Sequence, residues 1–280
     1  MRLLTKSAMR HLTASQLARL QKGVDIVGDI AIVRFSEEFH DEKRRIAETL
    51  LDLVPFLRVV LEQTGPVGSQ FRTRRLEWLA GEHRTVTLHR EFGCQYKADV
   101  ETTYFSPRLG HERKRIADLV SAGECVINFF AGVGSFSIMI AKHSHPSIVY
   151  SLDINPAAVR YHAMNSVLNG VRDRIDLICG DANGLVSASL VGRADRVLLP
   201  LPELALESLP HAKSALKNGR GTVHCYVFVD SNRRSEAGKQ ALSKLGAVLG
   251  RTGAGQEDVK AHVVRSVGPC RYQVCLDIHV

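Results

Sequence analysis

The sequence predicts an α/β protein in two parts, a small α+β module over residues 23–110 followed by a larger domain over residues 111–280. Three observations predict it. From Glu124 onward, apolar β-branched runs alternate with helical patterns, which is how a mostly parallel sheet covered by helices reads. A glycine-rich turn, Gly132-Val133-Gly134, separates the first of those strands from the first helix, and Asp153 ends the next strand. Upstream, residues 58–104 alternate short strands with turns at Gly65-Pro66, Gly81 and Gly93. The second part is therefore expected to be Rossmann-like, with a late antiparallel strand in the closing run YQVCLDIHV.

The elements follow in order. Residues 1–22 carry five Lys or Arg and no acid, as a transit peptide does, yet Thr13 can cap a helix in which Leu17 and Leu20 share a face; a basic N-terminal helix or extension is expected. DIVGDIAIVRF is strand-like with Gly28-Asp29 as punctuation. Residues 41–53 have acids in the first turn, apolar Ile46, Leu50 and Leu51 at helical spacing, and Pro55 just beyond. A basic helix is expected from about His111 to Val120. Then come CVINFF (strand), SFSIMIAKHS (helix), SIVYSLD (strand), PAAVRYHAMNSVLNG (helix), RIDLICGD and DRVLLPLP (strands). Residues 204–217 are expected as a helix, GTVHCYVFV as a strand and SEAGKQALSKLGAVLG as a helix.

Composition narrows the function classes. With 45% hydrophobic and 24% charged residues the chain has the balance of a globular protein, and no apolar stretch is long enough to span a bilayer. The formal charge of +8 favours a polyanionic partner. Six scattered cysteines without a CxxC spacing, and no His pair at i, i+4, point to a reduced, cytoplasmic protein with no metal site.

The residues around the glycine-rich turn suit a nucleoside cofactor. Missing side chains at Gly132 and Gly134 let a ligand approach the backbone and the helix N-terminus. Asp153 is placed to accept two ribose hydroxyls, and Asp181, after Gly180, to accept from an adenine amine. Ser137 stands where a dinucleotide fingerprint has its third glycine. Gly, Asp and Asp at three strand ends fit S-adenosylmethionine better than a pyrophosphate ligand.

The chain resembles the archaeal type of the tRNA guanine-37 N1-methyltransferase family, Trm5, within the Trm5/TYW2 superfamily. The resemblance is carried by DIVGDIAIVRF, GPVGSQFRTRRLEWLAGE, FSPRLGHER, FFAGVGSFSI, LDINPAA, MNSVLN and YQVCLDIHV. It implies a class I methyltransferase fold, S-adenosyl-L-methionine as cofactor, the tRNA anticodon loop as partner, and methylation of N1 of guanosine 37. The chain is expected to be a short form, lacking the extra N-terminal domain of longer members, and to act as a monomer. Magnesium is implied only through the RNA or the proton step, and no residue is assigned to it.

The resemblance also assigns residues. Arg108, in the SPRL run, matches the family's catalytic arginine, where a guanidinium near O6 would stabilise the charge that develops as the N1 proton leaves. The resemblance does not name the base: Glu112 and Glu203 can both reach the mouth and the choice between them stays open, with Glu112 named beside Arg108 as a catalytic candidate. Asn128, Phe130, Ala131, Gly132, Gly134, Asp153, Ile154, Asp181, Ala182 and Pro200 are expected at the cofactor. Arg108, Pro200, Leu201, Pro202, Arg72, Arg74, Arg75, Arg113 and Arg115 are expected to meet the RNA. Pro200 departs from the family, which has Asn in an Asn-Leu-Pro run; proline offers neither N–H nor amide, so either backbone carbonyls grip the base or the target differs. Asn128 stands where an acid is usual, and Ser135 where Pro is common. The alternatives are a wyosine-pathway transferase, moving an aminocarboxypropyl group or methylating a tricyclic precursor, and a non-catalytic RNA-binding relative.

Overall fold

A computed structural model describes residues 3–19, 23–66, 68, 71–249 and 258–280. Leu20, Gly250 and part of the run GPVGSQ lie outside the described residues. The chain divides into two compact units, Met1–Arg108 and Leu109–Val280.

The first unit begins with α1 (Leu3–Ala8) and α2 (Ala14–Arg19). Thr13 starts α2 through a reciprocal cap: its N–H donates to Gln16 Oε1 at 2.9 Å, and Gln16 N–H reaches back to Thr13 Oγ1 at 3.4 Å. Leu4, Ala8 and Leu12 are buried in one core with Ile46 and Leu50. The segment expected as a basic helix or extension is thus helical and contributes to this unit's core. β1 (Asp25–Val27) and β2 (Ile30–Val33) form a hairpin, β3 (Val59–Gln63) and β4 (Leu76–Gly81) complete a sheet in the order β1-β2-β3-β4, and α3 (Lys43–Leu53) packs against β3 and β4. Gly28 turns the hairpin with φ +56°, and a Cβ there would lie 2.1 Å from Thr87 Oγ1. β5 (Val86–Glu91) and β6 (Cys94–Asp99) make a separate antiparallel pair, and a 3₁₀ turn at Pro107–Leu109 ends the unit.

The second unit starts with α4 (Gly110–Leu119). β7 (Cys125–Asn128), α5 (Ser135–His143), β8 (Ile148–Asp153), α6 (Pro156–Leu168), β9 (Ile175–Cys179) and β10 (Arg196–Leu199) follow the expected order, and α7 (Ala182–Leu185) falls between two runs that read as consecutive strands. α8 (Leu209–Ala215), β11 (Thr222–Asp230), α9 (Arg234–Leu249), β12 (Asp258–Gly268) and β13 (Arg271–His279) follow. The sheet order is β12-β13-β11-β10-β7-β8-β9, with β7 to β11 parallel and β13 antiparallel to both neighbours. Chain order reverses at β7, whose neighbours are β8 and β10, so the carboxyl end of β7 is the switch point where ligands bind in such sheets. β7, β10 and most of β11 are buried on both faces, which is why they read as continuous apolar runs, whereas the edge strands β9 and β12 are partly exposed.

Two expectations need correction. The helix expected over residues 204–217 is shorter: residues 202–207 form turns, and α8 begins at Leu209 with Pro210 in its first turn, where a missing N–H costs nothing. β12 went unpredicted; its pattern alternates at Val259, Ala261 and Val263, then slips at register shifts between Val263 and Arg265 and between Ser266 and Gly268.

Candidate cofactor and methyl-transfer site

The carboxyl end of β7 runs directly into the glycine-rich turn. Phe129 N–H donates to Leu198 O at 3.0 Å and Ala131 N–H to Leu152 O at 2.9 Å, tying the turn to the strands on either side. Phe130, Gly132 and Gly134 all have positive φ, at 54°, 57° and 91°. Gly132 N–H donates to Asp153 Oδ2 at 2.6 Å, and Asn155 N–H to Asp153 Oδ1 at 2.8 Å. Asp153 therefore shapes the turn and still has two of its roughly four carboxylate lone-pair sites for ribose hydroxyls. Burial pushes its carboxyl pKa up, against the pull of those two backbone donors.

The third strand end is held similarly. Gly180 N–H donates to Asp153 O at 3.0 Å, and Asp181 caps α7 by accepting from Gly184 N–H at 2.8 Å. Asp181 is exposed, so its second oxygen faces solvent, whereas Ala182 turns its methyl into the core and offers a ligand only its backbone. Ile154 is half-buried beside Asp153.

Behind the turn, α6 presents His162 and Asn165. Asn165 Nδ2 donates to Val133 O at 3.0 Å. His162 is buried against Gly134, and burial lowers its pKa to about 3, so it is a neutral wall. Asn128 is fully buried; its Nδ2 donates to Ser137 Oγ at 2.9 Å and Ser151 Oγ donates to the same oxygen at 2.7 Å. Its Oδ1 has no partner. A buried acceptor left unpaired at the switch point is unfavourable by about 1–3 kcal/mol until a donor arrives, and the ammonium of an amino-acid moiety is such a donor. The turn, Asp153 and the orphan oxygen together fit S-adenosylmethionine.

After β10 the LLPLP run bends sharply. Leu201 O accepts from Leu204 N–H at 3.1 Å and Ala205 N–H at 2.9 Å, and Pro202 is buried. The Leu201 carbonyl is thus engaged within the bend, and Pro200 is half-buried at the strand end.

α4 carries the second cluster. Glu112 is buried and accepts from Arg115 through both oxygens, at 2.9 Å from Nε and 2.7 Å from Nη2, and from Tyr226 Oη at 2.7 Å. Arg115 also donates to Asp277 Oδ2 at 2.7 Å. Asp277 in turn accepts from His224 Nδ1 at 2.6 Å, and His224 Nε2 takes a bond from Arg196 Nη1 at 2.7 Å. Arg196 ends on Glu124, at 2.7 Å from Nε. His224 and Arg115 hold the Asp277 carboxyl well below the carboxylate range against the opposing effect of burial, and burial lowers the His224 imidazole, so that imidazole is neutral. His224, Cys275 and Asp277 have ligand atoms within 4.8 Å of one another, but the guanidiniums of Arg115 and Arg196 supply the positive charge a cation would bring.

Several arginines expected on RNA are spent inside the fold. Arg113 is fully buried, and Arg115 is engaged by Glu112 and Asp277. Arg74, largely buried, pairs with Asp25 at 3.4 Å. Long basic side chains bury their stems readily, and runs of them say little about where their heads point. Arg75 is exposed, and Arg72 lies over the Tyr104 ring at 4.4 Å. Arg108 is half-exposed, with Nη2 2.5 Å from Asp25 Oδ1. Asp25, the acid at the centre of this group, opens the run DIVGDIAIVRF but is given no role by the sequence.

Comparison with known proteins agrees with this geometry. The model of the TRM5/TYW2 methyltransferase domain matches residues 87–247, and that of the TYW2 N-terminal domain matches residues 5–85. The chain belongs to the TRM5/TYW2 methyltransferase family. It is 34% identical over 261 residues to tRNA (guanine(37)-N(1))-methyltransferase Trm5b of Pyrococcus abyssi, covering 93% of this chain and 76% of that protein. It is 35% identical over 260 residues to tRNA 4-demethylwyosine(37)-methyltransferase Taw21 of Saccharolobus solfataricus, covering 92% and 93%. Among solved structures, the complex of aTrm5 and tRNALeu superposes with a TM-score of 0.82 at 29% identity, covering 100% of this chain and 78% of that one. This TRM5/TYW2 chain is thus an S-adenosylmethionine-dependent transferase by family.

One prediction arises here. Asp153→Ala is expected to weaken S-adenosylmethionine binding by about 1.5–3 kcal/mol, roughly 10- to 150-fold, through loss of a charge-assisted ribose contact and of the Gly132 anchor. Calorimetric titration measures it, and an unchanged dissociation constant would remove Asp153 from the ribose.

Proposed function

We propose that this chain methylates N1 of guanosine 37 in tRNA, using S-adenosylmethionine as donor. The observation that carries the reading is the combination of the cofactor turn with the FSPRLGHER run, in a chain aligned over 93% of its length with a Trm5b enzyme. S-adenosylmethionine supplies a sulfonium methyl group. The protein's share is positioning and electrostatics. Arg108 is assigned to O6, where its positive charge stabilises the oxyanion formed as N1 loses its proton. Glu112 is assigned as the acceptor of that proton. Arg115 bridges Glu112 and Asp277, so a guanidinium that loses Glu112's charge keeps Asp277 as a partner. The +8 charge, with Arg75 and Arg108 exposed, supports tRNA as the partner through phosphate contacts. The six free cysteines suit a reducing, cytoplasmic setting, and a monomer is proposed.

A second reading, methylation of the tricyclic base at the same position, is favoured by Pro200 and by the likeness to Taw21 over nearly that protein's whole length. The test is methyl transfer from labelled S-adenosylmethionine to three tRNAs, carrying G37, A37 or 4-demethylwyosine at 37, with nucleoside analysis of the products. 1-Methylguanosine from the G37 tRNA alone is the expected result. Label on the tricycle alone would overturn the guanosine reading in favour of the second.

A further inference from the structure

Arg108 ends the first unit, and what holds it there belongs to the same unit. Asp25, the first residue of β1, places Oδ1 2.5 Å from Arg108 Nη2 and Oδ2 3.4 Å from Arg74 Nη1. One carboxylate thus faces two guanidiniums. Arg74 is the more buried of the two, its side chain 9% exposed against 53% for Arg108. The pair with Arg74 is the fixed side of the arrangement, and the pair with Arg108 is the side open to solvent. The Arg108 contact is close in distance yet lies outside hydrogen-bond alignment, whereas the Arg74 contact is an aligned bond.

We infer that Asp25 is a positioning residue for Arg108, an inference that rests on the reading of Arg108 as the group that stabilises O6. A half-exposed arginine has several rotatable bonds, and restricting them costs rotamer freedom. A carboxylate on a strand end, itself anchored by a buried arginine, restrains that side chain before substrate arrives. The charge count also suits the task. Two guanidiniums against one carboxylate leave a surplus of one positive charge, so the restraint does not neutralise the cation that an oxyanion requires. Both oxygens of Asp25 are engaged by cations, and a neutral isostere removes the restraint with little change of shape.

The experiment is a double-mutant cycle in the full chain, read as single-turnover methyl transfer to saturating tRNA, with S-adenosylmethionine affinity and melting temperature measured alongside. Asp25→Asn is expected to lower the rate constant about 10-fold, the scale of one misplaced catalytic contact. Cofactor affinity is expected to be unchanged, and Asp25→Glu to recover part of the loss. In an Arg108→Ala background the further effect of Asp25→Asn is expected to fall below about 2-fold, since the residue it positions is gone. An equal loss in both backgrounds would overturn the inference, because Asp25 would then act through Arg74 or through the fold. A slow Arg108→Ala enzyme with an Asp25→Asn enzyme at full rate would overturn it too, leaving the role of Arg108 intact. A full rate for Arg108→Ala would overturn the reading of Arg108 and the inference with it.

Discussion

Arg108→Ala is expected to slow methyl transfer by about 10²- to 10³-fold, the usual consequence of removing a charge or donor aimed at a developing oxyanion. The affinity for S-adenosylmethionine is expected to stay within a factor of two, because the turn at residues 128–134, Asp153 and Asp181 are held by bonds in which Arg108 has no part. Folding is expected to survive as well. Arg108 is half-exposed, and the carboxylate it leaves behind keeps Arg74 as a partner, so no buried charge is orphaned. Arg108→Lys separates charge from geometry: a point charge without the planar fork recovers part of the rate if the oxyanion needs only a cation. Rapid-quench kinetics with separate cofactor titration measures both quantities. Loss of cofactor binding in step with loss of rate would show that Arg108 belongs to the cofactor pocket instead.

The pattern of what could be read from the sequence follows from the range of the interactions involved. β7, β8 and β10 are short apolar runs closed by turn residues, so each announces itself locally, and the glycines at 132 and 134 mark the ligand end. Asp153 was legible for the same reason, as an acid closing a strand a fixed distance after that turn. The network behind Glu112 was not. Arg115 meets Asp277 across 162 positions, and Tyr226 meets Glu112 across 114, and no local pattern specifies such pairs. The basic runs misled because charge in sequence reports neither burial nor partner: Arg113 is inside, Arg74 is paired, Arg75 is out. β12 escaped because bulges break its alternation at the sheet edge, where half of its residues face solvent. The N-terminal segment shows the opposite case, a composition that resembles a targeting signal but whose Leu4, Ala8 and Leu12 are core residues.

The second large effect is expected at Gly134. Its φ of +91° lies in the left-handed region, where a Cβ costs about 1–2 kcal/mol on its own. The alanine methyl would also fall 2.3 Å from Cδ2 and 2.5 Å from Nε2 of His162. That ring cannot swing into water, since it is fully buried on α6 between the turn and the sheet. Overpacking of this kind costs about 1–3 kcal/mol more, so Gly134→Ala is expected to destabilise the second unit by about 2–5 kcal/mol. The relief available is movement of the turn itself, which would carry Gly132 away from Asp153 and lower cofactor affinity by at least about 10-fold. The two costs can be told apart. Adding His162→Ala makes room for the methyl without changing φ, so in Gly134→Ala/His162→Ala the steric share should return and the conformational share should remain. Thermal unfolding and calorimetric titration of the two single variants and the double variant measure this. Full additivity of the two substitutions would show that His162 does not shape the turn, and that the glycine is required by its dihedral angles alone.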